Sequence, residues 1–201
     1  MRTARFLTGL AISALIITAA ATTACTRTTG TSTTKSNERD TITTRALARF
    51  RDTLKSHPGA LANGAPSLDS LINAFGSAVA RRDTSALRAL ALSPAEFAYL
   101  YYPNSPMSSK PYELDADLMW MQISSRSTKG LSRLLATRGG RPFNLVSYQC
   151  SPAQHHGRIN IINGCQVLQT SAPRDTSLLQ LFGEVVERSG TYKFVGYANR
   201  L

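Results

Sequence analysis

The chain has 201 residues, with 23 Lys+Arg against 12 Asp+Glu and a formal net charge of +11. An apolar fraction of 42% and a charged fraction of 17% lie in the globular range and exclude a wholly disordered or fibrous chain. Three cysteines are too few for a disulfide-built scaffold and make no zinc-ribbon set. The length fits one domain, or one domain with a tail.

Arg2 and Arg5 form a positive leader, Phe6 to Ala21 an apolar run, and small residues then lead to Cys25. That order is the layout of a secretory signal. Cys25 directly after Ala24 resembles a bacterial lipobox, although Thr22 stands where that family prefers a branched apolar residue. The resemblance implies that residues 1–24 are a signal peptide and that Cys25 is the lipid attachment point. The protein is then exported and anchored on the outer side of the cytoplasmic membrane or in an outer membrane. The alternatives are a secreted protein cut near Ala24 and an uncleaved N-terminal anchor. Several acyl chains on one residue hold a domain at a membrane far better than one chain does. Cleavage would remove Arg2 and Arg5 and no acid, taking 23 basic residues to 21 against 12 acidic and leaving a net +9.

Residues 25–45 are rich in Thr and Ser and nearly free of apolar side chains. Such a segment cannot bury enough surface to offset its chain entropy, so it reads as a disordered tether. Ala46 to Leu54 reads as a short helix. Pro58-Gly59 and Asn63-Gly64-Ala65-Pro66 then break the chain, which makes 55–66 a linker and 67–201 the expected compact domain.

Ser67 caps a predicted helix to about Arg81, with Leu68, Leu71, Ile72, Phe75, Ala78 and Val79 on one stripe. Asp83-Thr84 restarts a short helix. Ser93-Pro94-Ala95-Glu96 is a capping box with proline at the first helical position, and its helix must end by Pro103. Pro111 is expected to open a long helical region to about Thr137, bent or divided near Gly130 and stopped by Gly139-Gly140. The period then changes. Phe143 to Cys150, Arg158 to Thr170 and Leu178 to Arg188 read as strands, and Ser189-Gly190 turns the chain into a last strand to Asn199. Helices first and antiparallel strands after predict an α+β domain: N-terminal helices on a curved antiparallel sheet of three to five strands.

The stretch from Leu71-Ile72-Asn73-Ala74-Phe75 to Asp83-Thr84-Ser85-Ala86-Leu87, with the closing hairpin Val185 to Tyr197, is similar to the NTF2-like (SnoaL or ketosteroid-isomerase-like) cone fold. The resemblance implies a cavity on the concave side of the sheet and pairing into a homodimer through the open sheet face. No residue aligns onto a catalytic position of that family.

With Cys25 given to lipid, Cys150 and Cys165 remain on consecutive predicted strands. In an exported chain the pair suggests a disulfide, the alternative being two buried free thiols. By loop entropy the bridge would contribute about 3 kcal/mol.

His155-His156 has no carboxylate nearby in sequence and reads as an exposed polar loop rather than a metal site. Glu113, Asp115 and Asp117 read as anionic side chains suited to the start of a helix. Leu118 to Arg174 contains no acid, and Arg126, Lys129 and Arg133 fall at helical spacing with Arg141 beyond them; together they form a candidate anion-binding face. Tyr101, Tyr102 and Trp120 flank a loop and could line the mouth of a pocket. No nucleophile elbow, P-loop, dinucleotide fingerprint or zinc-protease motif is present in the sequence. The expectation is a lipid-anchored envelope protein displaying a non-catalytic ligand- or partner-binding domain, with no catalytic residue, metal or cofactor. The expected partners are the membrane and an anionic ligand or envelope polymer, not nucleic acid. A cone-fold enzyme of isomerase, cyclase or hydrolase type and a basic scaffold on anionic polymers are the alternatives.

Overall fold

A computed structural model describes residues 44–172 and 175–201. The signal segment, Cys25, nearly all of the tether and Arg174 lie outside the described residues.

The first described helix, α1, runs over 44–52. It is fastened to the domain: Arg51 donates from Nε and Nη2 to the Ala98 carbonyl at 3.2 and 2.8 Å, and its guanidinium lies 4.5 Å from the Tyr99 ring centroid. The segment 55–66, expected as a linker, is part of the domain. Leu61 and Ala65 are buried, the Ala62 N–H donates to Glu96 Oε1 at 2.7 Å, and Ala65 exchanges backbone hydrogen bonds of 3.0 and 2.8 Å with Tyr192. Proline and glycine keep regular structure out of this segment, but its backbone polar groups still need partners. Those partners come from distant parts of the chain.

Helix α2, Leu68–Ala80, starts on Ser67, whose side chain accepts from the Ser70 N–H, and buries Leu71, Ile72, Phe75, Ala78 and Val79. The stripe is the one its spacing predicts. Helix α3, Thr84–Ala89, is capped by the Asp83 carboxylate. Helix α4, Pro94–Glu96, carries the full capping box and continues as a π turn over Phe97–Tyr101 and a 3-10 turn over Tyr102–Asn104. Helix α5 spans Ala116–Arg138, starting at Ala116 rather than at Pro111. The Leu114 N–H bonds back to the Met107 carbonyl at 2.9 Å and Glu113 sits at φ 45°, so Tyr112 and Leu114 belong to the preceding loop. The helix is also continuous through Gly130. That glycine serves contact, not bending: a Cβ there would stand 1.6 Å from the Tyr197 carbonyl oxygen.

The strands follow the helices, as an α+β fold requires, and divide between two antiparallel sheets. Strands β1 (Leu145–Gln149), β4 (Gln166–Ala172) and β5 (Asp175–Leu179) form one, in the order β1-β4-β5. Strands β2 (Gln154–His156), β3 (Ile159–Ile162), β6 (Val185–Arg188) and β7 (Thr191–Phe194) form the other, in the order β2-β3-β6-β7. The break between β3 and β4 falls at Gly164, whose φ of 63° few other residues adopt. Ser189 and Gly190 both have positive φ, as a tight hairpin turn demands.

Strands β3 and β6 bury side chains on both faces of the four-stranded sheet. Ile161 pairs with Val186 and Ile162 with Val185, and successive residues of a strand point to opposite sides. Ile161 and Val186 join Phe97, Leu100 and Met119 in one core. Ile162 and Val185 join Phe75, Phe182 and Phe194 in the other. Cys150 and Cys165 form a disulfide, with a Cα–Cα distance of 4.0 Å, that ties the end of β1 to the start of β4. Among the described residues no helix is long and apolar enough to cross a membrane.

Candidate functional site

Helix α5 lies on the chain that follows β7 and is fixed there by backbone contacts. Ser127 Oγ accepts from the Tyr197 N–H at 3.1 Å, and Asn199 Nδ2 donates to the Gly130 carbonyl at 2.8 Å. Of its 23 residues only Ala116, Met119, Gly130 and Leu134 are buried. A helix seated so narrowly leaves a cleft on each side.

The first cleft, of about 450 Å³, has Met119, Gln122, Ile123 and Arg126 of α5 as one wall. Asn163, Gln180, Gly183, Glu184 and Gly196 also line it. Tyr101, Met107 and Leu114 close one end. Glu184 is the acid of this cleft. The buried Tyr101 hydroxyl donates to Glu184 Oε2 at 2.8 Å, which fixes the carboxylate. Burial pushes the Tyr101 phenol pKa well up, and the adjacent Glu184 charge and hydrogen bond push it further, while Ser105 acts weakly the other way. Tyr101 is therefore a protonated donor throughout the physiological range. Glu184 Oε1 takes no protein hydrogen bond, and no cation stands within 4.0 Å of the carboxylate among the described residues.

The second cleft, of about 470 Å³, lies on the other side of α5. Trp120, Ser124, Thr128 and Leu131 face Arg88 and Pro94 across it. It offers hydroxyls and apolar surface but no acid. A third, of about 380 Å³, lies beyond the C-terminus of α5 and holds Arg138, Arg141 and Gln169. There Arg138 donates to Gln169 Oε1 at 3.0 Å.

The three aromatic residues expected at one pocket mouth all pack around Phe97, at ring-centroid distances of 6.0, 5.7 and 5.2 Å, but do not line one cleft. Tyr101 lines the first cleft and Trp120 the second. Tyr102 is in the core between them, its hydroxyl donating to the Leu114 carbonyl at 2.9 Å; burial, with Asp115 and Asp117 nearby, pushes its pKa up to about 12. Arg126, Lys129 and Arg133 are exposed on α5 without an acidic partner within 4.0 Å among the described residues. Arg126 turns toward the first cleft, Arg133 reaches the Asn199 carbonyl at 3.4 Å, and Arg141 belongs to the third cleft.

His155 and His156 sit on strand β2, not in a loop, and so point to opposite faces. His155 Nδ1 lies 2.9 Å from Asn160 Oδ1, and Asn160 in turn donates to Glu187. Among the described residues no group of three or more His, Cys, Asp or Glu could hold a metal ion. Asp117 lies in the first turn of α5, with Asp115 at its N-cap, whereas Glu113 precedes the helix, 3.9 Å from Lys110.

Sequence reasoning did not assign Glu184 a role. Its signal was a lone charge inside the apolar run Leu181-Phe182-Gly183-Glu184-Val185-Val186. Its partner Tyr101 is 83 positions away, so no local pattern pairs them. No family model, no curated protein and no solved structure matches this chain.

Proposed function

We propose that this is an exported, lipid-anchored envelope protein that displays a non-catalytic, small-molecule-binding domain of NTF2-like kind. The observation that carries the binding role is the first cleft. A carboxylate fixed by a buried tyrosine, a guanidinium on α5 and apolar side chains in the same cleft make a concave, mixed-polarity surface of ligand-binding size, ~300–1,000 Å³. The export and anchoring roles are supported by the sequence around Cys25. The NTF2-like kinship is supported by the order of helices and strands.

Two experiments test the reading. Cys25→Ala in a bacterial host should abolish acyl labelling and release the protein from the membrane fraction; a variant that stays membrane-bound overturns the anchor. Ligand-observed NMR of the full chain in detergent, with a chemically diverse fragment set, should give hits that weaken in an Ile123→Trp variant, which fills the cleft. Hits that ignore the variant, or a set that yields none, overturn the cleft as a binding site.

One observation favours a second reading, a cone-fold enzyme: Glu184 Oε1 is free to take a proton from a bound molecule. Turnover of a substrate that is abolished by Glu184→Gln in a folded protein would establish it.

A further inference from the structure

The first cleft carries two opposite charges that do not meet. Glu184 and Arg126 both line it, from separate parts of the chain. They are not within 4.0 Å of each other, and neither has another ionic partner among the described residues. Apart from Tyr101, they are the ionisable side chains that line the cleft. A surface pair gains little by closing; here Tyr101 fixes Glu184 Oε2, and α5, which carries the exposed Arg126, is seated over Tyr197 through Ser127 and Gly130.

Met119, Ile123 and Val195 add apolar surface to the same cleft. Gln122, Gln180 and Asn163 supply neutral donors and acceptors. The set is complementary to a small molecule that carries both a cation and an anion, with apolar or amide groups beside them. Each end would replace water with a charge-assisted hydrogen bond in a partly shielded site.

We propose that the cleft beneath α5 binds a small zwitterion, a free amino acid or short peptide, with its ammonium group on Glu184 and its carboxylate on Arg126. This rests on the reading of the cleft as a binding site and adds the chemistry of the ligand.

The test uses the full chain purified in detergent and a saturation-transfer NMR panel of free amino acids and dipeptides, each alongside its N-acetylated and C-amidated form. At least one free zwitterion should bind. Blocking its amine should weaken binding at least tenfold, and blocking its carboxylate should do the same. Glu184→Gln should weaken the free ligand by a similar factor and remove the penalty for N-acetylation; Arg126→Gln should remove the penalty for amidation. Melting temperatures within a few degrees of the parent establish that the variants are folded, and if one is not, the blocked ligands on the parent protein still decide. Blocked forms that bind as well as free ones overturn the proposal. So does a panel with no binder: if neutral fragments still bind the cleft, the zwitterion alone is wrong, and if nothing binds, the cleft reading falls with it.

Discussion

Lys193 Nζ stands 2.8 Å from Glu96 Oε2, with the two side chains 4% and 3% exposed. The ammonium also donates to Glu96 Oε1 at 3.0 Å and to the Ala62 carbonyl at 2.8 Å, and the carboxylate accepts from the Ala62 and Ser93 N–H groups. One pair thus joins the 55–66 segment, the start of α4 and strand β7. Removing one partner leaves a buried charge without compensation. Glu96→Gln is therefore expected to lower the unfolding free energy by about 3–5 kcal/mol, measured by urea denaturation. An apolar double replacement, Glu96→Leu with Lys193→Met, should recover part of that loss. It should not recover all of it, because the Ala62 and Ser93 N–H groups then lack their acceptor.

The same pair sets an acid limit. Burial alone would raise the Glu96 pKa, but the hydrogen bonds from Lys193, Ser93 and Ala62 outweigh it and hold the carboxyl below its ordinary value of 4.5. A carboxylate with a lowered folded pKa contributes stability that is fully present above the unfolded value and is lost as pH falls through the folded one. Melting temperature should therefore drop as pH falls below about 4.5, and the drop should be shallower in the apolar double variant.

Gly130→Ala should destabilise the protein although alanine is the better helix former by about 1 kcal/mol. The added Cβ meets the Tyr197 carbonyl at 1.6 Å, so α5 must lift from the chain beneath it. Overpacking of this kind costs about 1–3 kcal/mol, which a denaturation midpoint will register. An unchanged or raised midpoint would show that the helix is seated elsewhere.

Reduction of Cys150–Cys165, which closes a sequence separation of 15, should cost about 3 kcal/mol. Melting with and without reductant measures it directly, and a Cys150→Ser variant should melt at the same temperature in both conditions.

What could be read from the sequence was local. The stripe Leu71, Ile72, Phe75, Ala78 and Val79 predicted the buried face of α2, the Ser93–Glu96 box started a helix where it stood, and Ser189-Gly190 marked the hairpin. What escaped depends on contacts between distant positions. Residues 55–66 looked like a linker because Pro58 and Asn63-Gly64 break helices, yet their partners, Glu96, Tyr192 and Lys193, are far along the chain. Gly130 looked like a hinge because glycine marks both bends and close approaches, and only the position of Tyr197 separates the two. Glu184 lay in view as a charge among apolar neighbours, but nothing near it pointed to Tyr101 or Arg126.

The pairing of Ala65 with Tyr192, together with Phe194, Val195 and Tyr197 in the two cores, has a consequence in time. A ribosome delivers those residues after the segments that pack on them. Until they arrive, the 55–66 segment has no strand to lie against, α5 has no seat, and both cores lack a wall. A partly synthesised chain that lacks them cannot settle into its final shape.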